Sequence, residues 1–408
     1  MKKSVNSGDI AQHRIYQILL FSGPLITLAV NPWTSYDPIG LPKMLLLASF
    51  ATSLGFLLIS RRNEIKAKLP RATWIIFATF GSWLVVSMFF SGAPLQQQLW
   101  GSFGRNTGFL TYVSLLTILI ATAILSSRDY YAGLTKALVG TALPMTAYCL
   151  VQMAGKDPIG WSEFATFGTL GNVNFLSAFF GMTSVACLAL ASYSSFKFSS
   201  RSLLAALGLL DIYIAFSTGS IQGVVIFIAG IFALLAIRLR YFKGKIKISF
   251  IGLYLITLIT SVTTGTLGLF NKGPLAQFLY QPSVIFRSDY IHAGWEMTLR
   301  KPLFGVGLDS YGDWYFGVRS ADAALNTPKV TSNSAHSVFL DIGSNGGIPL
   351  FAIYIGLVSL TLRSIYKYLR RNQELNWAYA GLVSVWMGYQ AQSVISINQL
   401  GLAIWGWL

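Results

Sequence analysis

The chain has 408 residues, 54% of them hydrophobic and only 11% charged, and its 30 Lys and Arg against 14 Asp and Glu give a net charge of +16. That composition excludes a soluble domain and fits a polytopic α-helical membrane protein, because a hydrocarbon core about 30 Å thick takes roughly 20 apolar residues per helix, and the short alternating segments of a membrane barrel do not occur. The positive charge sits in short loops rather than in a soluble basic domain, so it points to membrane orientation and lipid headgroups and not to nucleic acid.

Apolar runs at 16–32, 43–60, 72–90, 109–125, 131–153, 172–194, 202–217, 220–237, 248–270, 336–362, 376–397 and 400–408 predict an all-α transmembrane bundle of about 12 helices. The last run stops at Leu408 with no basic residue to close it, so that helix reads as incomplete. Three parts follow: 1–270 with nine helices, a large loop at 271–335, and 336–408 with three more. With the N-terminus in the cytoplasm, 21 of the 30 basic residues fall on the inner side, from Lys2, Lys3 and Arg14 to Arg370 and Arg371. The opening Met1-Lys2-Lys3 hints at a signal peptide, but polar residues run on to Arg14 and no cleavage pattern follows, which favours a retained first helix. Cys149 and Cys187 lie inside predicted spans and form neither a disulfide framework nor a metal pattern.

The polar motifs then fall on the outer face. The first is Gly101-Ser102-Phe103-Gly104-Arg105-Asn106-Thr107-Gly108, where Arg105 suits either a phosphate, through two parallel hydrogen bonds, or a lipid headgroup. Next, Gly171-Asn172-Val173-Asn174-Phe175 opens a helix: Asn172 suits a cap, and Asn174, already inside, is freer to bind sugar hydroxyls. Asp211 is a carboxylate within an apolar helix, a functional candidate or a hydrogen-bond acceptor for a neighbouring helix. Shortly after it comes the hydroxyl-rich turn Ser217-Thr218-Gly219-Ser220-Ile221-Gln222-Gly223.

The 271–335 loop is the one soluble-looking segment, and a long loop with its own helix is usually functional. Ser283–Leu299 reads as an amphipathic helix with Ile285, Ile291 and Trp295 among its apolar positions and with Arg287, Tyr290 and Gly294 along one face. Pro302 breaks it, and Gly305 and Gly307 predict a turn leading to Asp309 and Tyr311. Asp309 and Asp313 are too few oxygen ligands for a metal, so none is expected, nor any other cofactor. The tenth long helix begins Ser332-Asn333-Ser334-Ala335-His336-Ser337-Val338-Phe339-Leu340-Asp341. An imidazolium is disfavoured at a helix N-terminus, so His336 should stay neutral and able to accept a proton. Ser396-Ile397-Asn398-Gln399 adds amides on the same side. Arginines for an anion, a neutral His and many hydrogen-bonding groups fit transfer from a diphosphate leaving group to a hydroxyl.

These segments resemble the O-antigen ligase and polymerase family of bacterial envelope glycosyltransferases. The resemblance rests on Gly171–Phe175, the long outer loop, Arg287 ahead of Trp295, Pro302-Leu303-Phe304-Gly305-Val306-Gly307, and Ala335-His336-Ser337-Val338-Phe339-Leu340 with Gly347. It implies a multi-pass protein of the bacterial cytoplasmic membrane and metal-independent transfer of glycan from undecaprenyl diphosphate to a glycan, lipid or cell-wall hydroxyl on the outer face. It also implies Arg287 and Arg105 on the diphosphate and His336 as base; Asn172, Asn174, Gln222, Tyr290, Asp309 and Tyr311 are the other expected substrate contacts. Two departures stand out: Ile221-Gln222 where many members carry Arg, and Asn345 where many carry Glu. A polymerase would use a second copy of the donor as acceptor. A transporter for lipid-linked glycans and a non-catalytic assembly protein are the rivals from other classes; the transporter would show paired, interrupted helices with polar midplane positions.

Overall fold

The computed structural model describes residues 7–34, 36–125, 128–161, 165–280 and 282–408. Lys2 and Lys3, expected on the inner side, lie outside these residues, as do the side chains of Arg128 and Ile285. Among the described residues every regular element is a helix. In chain order they are α1 (Ser7–Leu28), α2 (Gly40–Ser60), α3 (Arg62–Lys66), α4 (Arg71–Phe90), α5 (Leu95–Trp100), α6 (Phe109–Ala123), α7 (Arg128–Met153), α8 (Val173–Ala191) and α9 (Phe198–Ser217). Then follow α10 (Gln222–Tyr241), α11 (Lys247–Leu269), α12 (Ala276–Leu279), α13 (Pro282–Arg300), α14 (Tyr311–Val318), α15 (Ala321–Asn326), α16 (Val338–Arg371), α17 (Trp377–Ile395) and α18 (Leu400–Trp407).

Each of the twelve apolar runs is helical, so this is an all-α integral membrane protein. Eight of the helices are long and apolar enough to cross a bilayer among the described residues: α2, α4, α7, α8, α9, α10, α11 and α16. Helix α6 is apolar but shorter, and α1, α17 and α18 fall outside that set. Helix α8 is the most enclosed and α11 the least, burying none of its apolar window. That gradient follows from sequence: α8 is built of small and aromatic residues that pack on all sides, while α11 meets little besides α10 and α12.

Two buried charges are matched in the bundle. Lys43, fully buried, donates its ammonium hydrogens to the carbonyls of Ile26, Thr27 and Ala29 at 3.3, 2.7 and 2.7 Å, satisfying the orphaned C-terminal carbonyls of α1. Asp211, also fully buried, accepts hydroxyl hydrogens from Thr146 of α7 at 2.8 Å and Thr183 of α8 at 2.6 Å. The hydrogen-bonding reading of Asp211 therefore matches its geometry.

Helix α16 is kinked at Gly347, whose φ is +79°. Pro349 has no N–H to give to Asn345, so the ladder opens there. The released carbonyls are taken from outside: Ser344 O accepts from Val306 N–H at 2.8 Å, Asn345 O from Gly307 N–H at 3.1 Å, and Gly346 O from the Trp83 indole at 3.1 Å. Ile348 N–H returns a bond to Pro302 O at 2.8 Å. Gly305 and Gly347 are both needed, because a Cβ at Gly305 would collide with the Asn345 backbone and one at Gly347 with the Leu303 carbonyl. The turn expected after Pro302 is thus a plug in the kink of α16.

Candidate active site

The 101–108 turn folds back through positive φ at Gly101, Gly104 and Asn106. It sends Arg105 into the protein, where the side chain is only 6% exposed. Arg105 Nε lies 3.5 Å from Asp309 Oδ1 and Nη2 lies 3.6 Å from Asp341 Oδ2, while Nη1 donates to Asn333 O at 2.6 Å. Asp309 Oδ2 accepts the backbone N–H groups of Ser102 at 2.7 Å and Thr107 at 3.0 Å, and Asp341 Oδ1 accepts that of Ala335 at 2.7 Å. One guanidinium therefore ties the 101–108 turn, the 302–310 turn and the start of α16 together. Burial alone would lower the Arg105 pKa, but the Asp309 and Asp341 carboxylates outweigh it and hold it above its ordinary value.

Against this clamp lies α13. Its Arg287, Tyr290 and Gly294 share a face, as the spacing predicts, and that face meets the start of α16. A Cβ at Gly294 would stand 2.9 Å from Ala335 Cβ and 3.0 Å from Leu340 Cγ, so glycine permits the approach. The Tyr290 ring stacks on His336 with centroids 5.0 Å apart and planes 27° apart. Tyr311, fully buried, donates its hydroxyl to Tyr290 O at 2.6 Å and fixes that turn of α13 from behind.

His336 occupies a left-handed backbone position, φ +52°, immediately before the N-cap Ser337 of α16. Its pKa is pushed down to about 4, first by burial and then by the charges of Arg287 and Arg105. The imidazole is therefore neutral at physiological pH and keeps one unprotonated nitrogen. Arg287 is half-buried, and burial lowers its pKa from the ordinary value. Among the described residues no carboxylate lies within ion-pair distance of it. The site thus holds one committed arginine, Arg105, and one uncommitted arginine, Arg287, beside a neutral histidine.

The structure brings together His336, Arg287, Arg105, Tyr290, Asp309 and Tyr311. It places Asn172, Asn174 and Gln222 in a second polar group at the ends of α8 and α10. Asn172 Oδ1 accepts from Asn174 N–H at 2.8 Å and caps α8; Asn174 Oδ1 accepts from the Ser220 hydroxyl at 2.7 Å. Gln222 is 1% exposed with its Oε1 unpartnered. No hydrogen bond or ion pair joins this group to His336 among the described residues. Two members of the first cluster lie in the segment that opens the tenth predicted helix but had no role assigned from sequence: Asp341, an acidic residue at the head of an apolar helix, and Asn333. The rule that a carboxylate in an apolar helix has a partner could have flagged Asp341. Asp313, paired with Asp309 in the metal question, instead accepts from Gln97 Nε2 at 2.7 Å.

With this geometry in hand, residues 203–355 match the family model described as O-antigen ligase. The matched stretch runs from α9 into α16 and contains Asp211, Gln222, Arg287, Asp309, His336 and Asp341, with Arg105 outside it. The family resemblance read from the sequence holds over the stretch that carries most of the site. A search of curated proteins finds no match.

Proposed function

We propose that this O-antigen-ligase-like protein is a membrane glycosyltransferase that moves a glycan from a polyprenyl diphosphate, undecaprenyl diphosphate in a bacterial cytoplasmic membrane, to an acceptor hydroxyl. The observation that carries this reading is the pairing of a neutral, half-enclosed His336 with an arginine, Arg287, that has no carboxylate within ion-pair distance among the described residues. In the reaction the acceptor oxygen forms a bond to the anomeric carbon of the donor sugar as the bond from that carbon to the diphosphate oxygen breaks. His336 takes the acceptor proton at its free ring nitrogen, and the bonding electrons leave with the diphosphate. Arg287 faces the charge that develops on the leaving oxygen, where a guanidinium can give two parallel hydrogen bonds.

Arg105 has a different part. Its charge is already met by Asp309 and Asp341, so it acts as a positioning residue that holds the His336 turn. Asn172, Asn174 and Gln222 would meet the glycan only if it extends to the ends of α8 and α10. The excess of basic residues in the expected inner loops supports a cytoplasmic N-terminus and an outward-facing site.

The test uses the complete protein in membranes, supplied with labelled undecaprenyl-diphosphate glycan and candidate acceptors. Release of undecaprenyl diphosphate that vanishes in both His336→Ala and Arg287→Ala supports transfer, and a product ladder rather than a single band marks a polymerase. No release with any acceptor, while labelled lipid still crosses the bilayer, would overturn the reading in favour of a transporter.

A further inference from the structure

Helix α13 has three faces. One is buried against the start of α16, through Ala293, Gly294, Met297 and Thr298. A second is a polar ridge of His292, Glu296 and Arg300, the last two paired at 3.4 Å. The third is an apolar ridge at spacing four, Ile291, Trp295 and Leu299, continued by Leu303 beyond the helix end, with exposures of 43, 55, 52 and 59%. A helix with an apolar strip beside a polar strip is built for the boundary between lipid and water.

The depth of α13 follows from the kink of α16. From Ile348 to Leu362, just before the basic Arg363, the helix runs 15 residues, about 22 Å at 1.5 Å per residue, most but not all of a hydrocarbon core about 30 Å thick. The kink at Gly347, which also accepts from Trp83 within α4 through Gly346 O, therefore falls inside the half of the membrane on the site's side, and the Pro302–Gly307 turn is bonded into that kink. Phe304 packs on Phe90 at the end of α4, centroids 5.5 Å apart, and Phe89, Phe90 and Ile348 are themselves exposed. The apolar ridge of α13 is thus continuous with the lipid-facing surface of α4 and α16.

We infer that α13 lies in the membrane interface with Ile291, Trp295, Leu299 and Leu303 inserted into the leaflet on the site's side. The partner of this surface is the lipid bilayer. On the transferase reading, this puts Arg287 and His336, on another face of the same helix or against it, within about one helix diameter of the headgroups, where the diphosphate of a membrane-anchored donor sits.

The test needs no substrate, so it stands or falls apart from the transferase reading. The full protein carries Trp295→Cys or Leu299→Cys labelled with an environment-sensitive fluorophore, in phosphatidylethanolamine–phosphatidylglycerol vesicles; Cys149 and Cys187 are fully buried and take no label. A nitroxide carried just below the lipid headgroup should quench both labels several-fold more than it quenches Leu325→Cys, on the exposed α15. Aqueous iodide should do the reverse, and should reach His292→Cys on the polar ridge. Iodide quenching of positions 295 and 299 as strong as at 325 would overturn the inference. Protection from both quenchers would also overturn it, by showing that protein and not lipid covers the ridge.

Discussion

Arg105 and Asp309 meet at 3.5 Å with side chains 6% and 1% exposed, although one belongs to the turn before α6 and the other to the turn after α13. Asp341 closes the group from the first turn of α16. Because α16 begins just after His336, the geometry of the candidate base depends on a contact that no local sequence signal encodes.

Removing one partner of a buried ion pair costs about 3–5 kcal/mol, since the other charge stays buried without a counter-ion. Asp309→Ala leaves Arg105 with Asp341 alone, so its stability should fall by no more than that order, and it also strands the Ser102 and Thr107 N–H groups. Asp309→Asn keeps an acceptor and tolerates the φ of +56°, so its loss should be smaller. Thermal unfolding of the purified protein in detergent gives the comparison, and equal losses from the two variants would show that the charge, rather than the acceptor oxygen, is what matters.

The kink of α16 makes a second prediction. Gly347→Ala forces a side chain into the left-handed region and against the Leu303 carbonyl. The 302–307 plug must then leave the kink, exposing the carbonyls of Ser344 and Asn345. Stability should fall by about 2–4 kcal/mol on loss of these buried hydrogen bonds, and transfer activity should fall with it. Gly356→Ala, in the same helix with open space around its Cβ position, should be neutral or slightly stabilising in the same assay.

How far this was legible beforehand differs by length scale. The helices were readable from apolar runs, because a membrane core fixes their length, and α13 was readable from its period and from Pro302. The shared face of Arg287, Tyr290 and Gly294 was readable too, since helical spacing fixes it. What met that face was not. The Arg105 clamp joins segments far apart in the chain, and an arginine in a glycine turn looks the same whether it meets phosphate or carboxylate. The α16 kink had a signal, Gly346-Gly347-Ile348-Pro349, that breaker chemistry would have flagged inside an otherwise apolar run. That Asn172 and Asn174 bond instead within a polar group at the ends of α8 and α10, beside Gln222, had no such signal.

On the transferase reading, the pH dependence of transfer follows from His336. A general base works unprotonated, and with a pKa of about 4 it stays so through the neutral range. The acid limb of kcat/KM, which reports the free enzyme, should fall through about pH 4 rather than near the ordinary histidine value of 6.5. Arg287→Gln removes one of the positive charges that depress His336, so the limb should move upward while burial keeps it below 6.5. His336→Ala should lower the rate by roughly 10²–10⁴, the usual contribution of a positioned base. A limb unmoved in Arg287→Gln would separate the arginine from the imidazole.

Lys43 offers a test of the bundle away from the site. Its ammonium is the partner of three carbonyls at the end of α1. Lys43→Met keeps an unbranched apolar stem without the terminal nitrogen and strands those carbonyls, which should cost about 2–4 kcal/mol. Lys43→Arg keeps the charge but places a planar fork where a compact head is enclosed, and should recover only part of that loss. Detergent unfolding midpoints for the two variants measure the difference.

Asp211 separates the transferase from its transporter rival. Its two oxygens are each engaged by a threonine hydroxyl, from α7 and α8, and this makes the carboxylate a tie between three helices. A group used only in this way can be replaced by an amide, because either hydroxyl can turn to accept from the new N–H. Asp211→Asn should therefore keep glycan release within about twofold, and its stability should change by less than about 1 kcal/mol, the usual scale of one such hydrogen bond. Asp211→Leu, which leaves both hydroxyls without their acceptor, should cost more. If Asp211→Asn instead folds normally and abolishes function in membranes, the carboxylate is being used for its charge or its proton. A carboxylate inside the bundle in that role belongs to a transport cycle, and the reading built on His336 and Arg287 would have to give way.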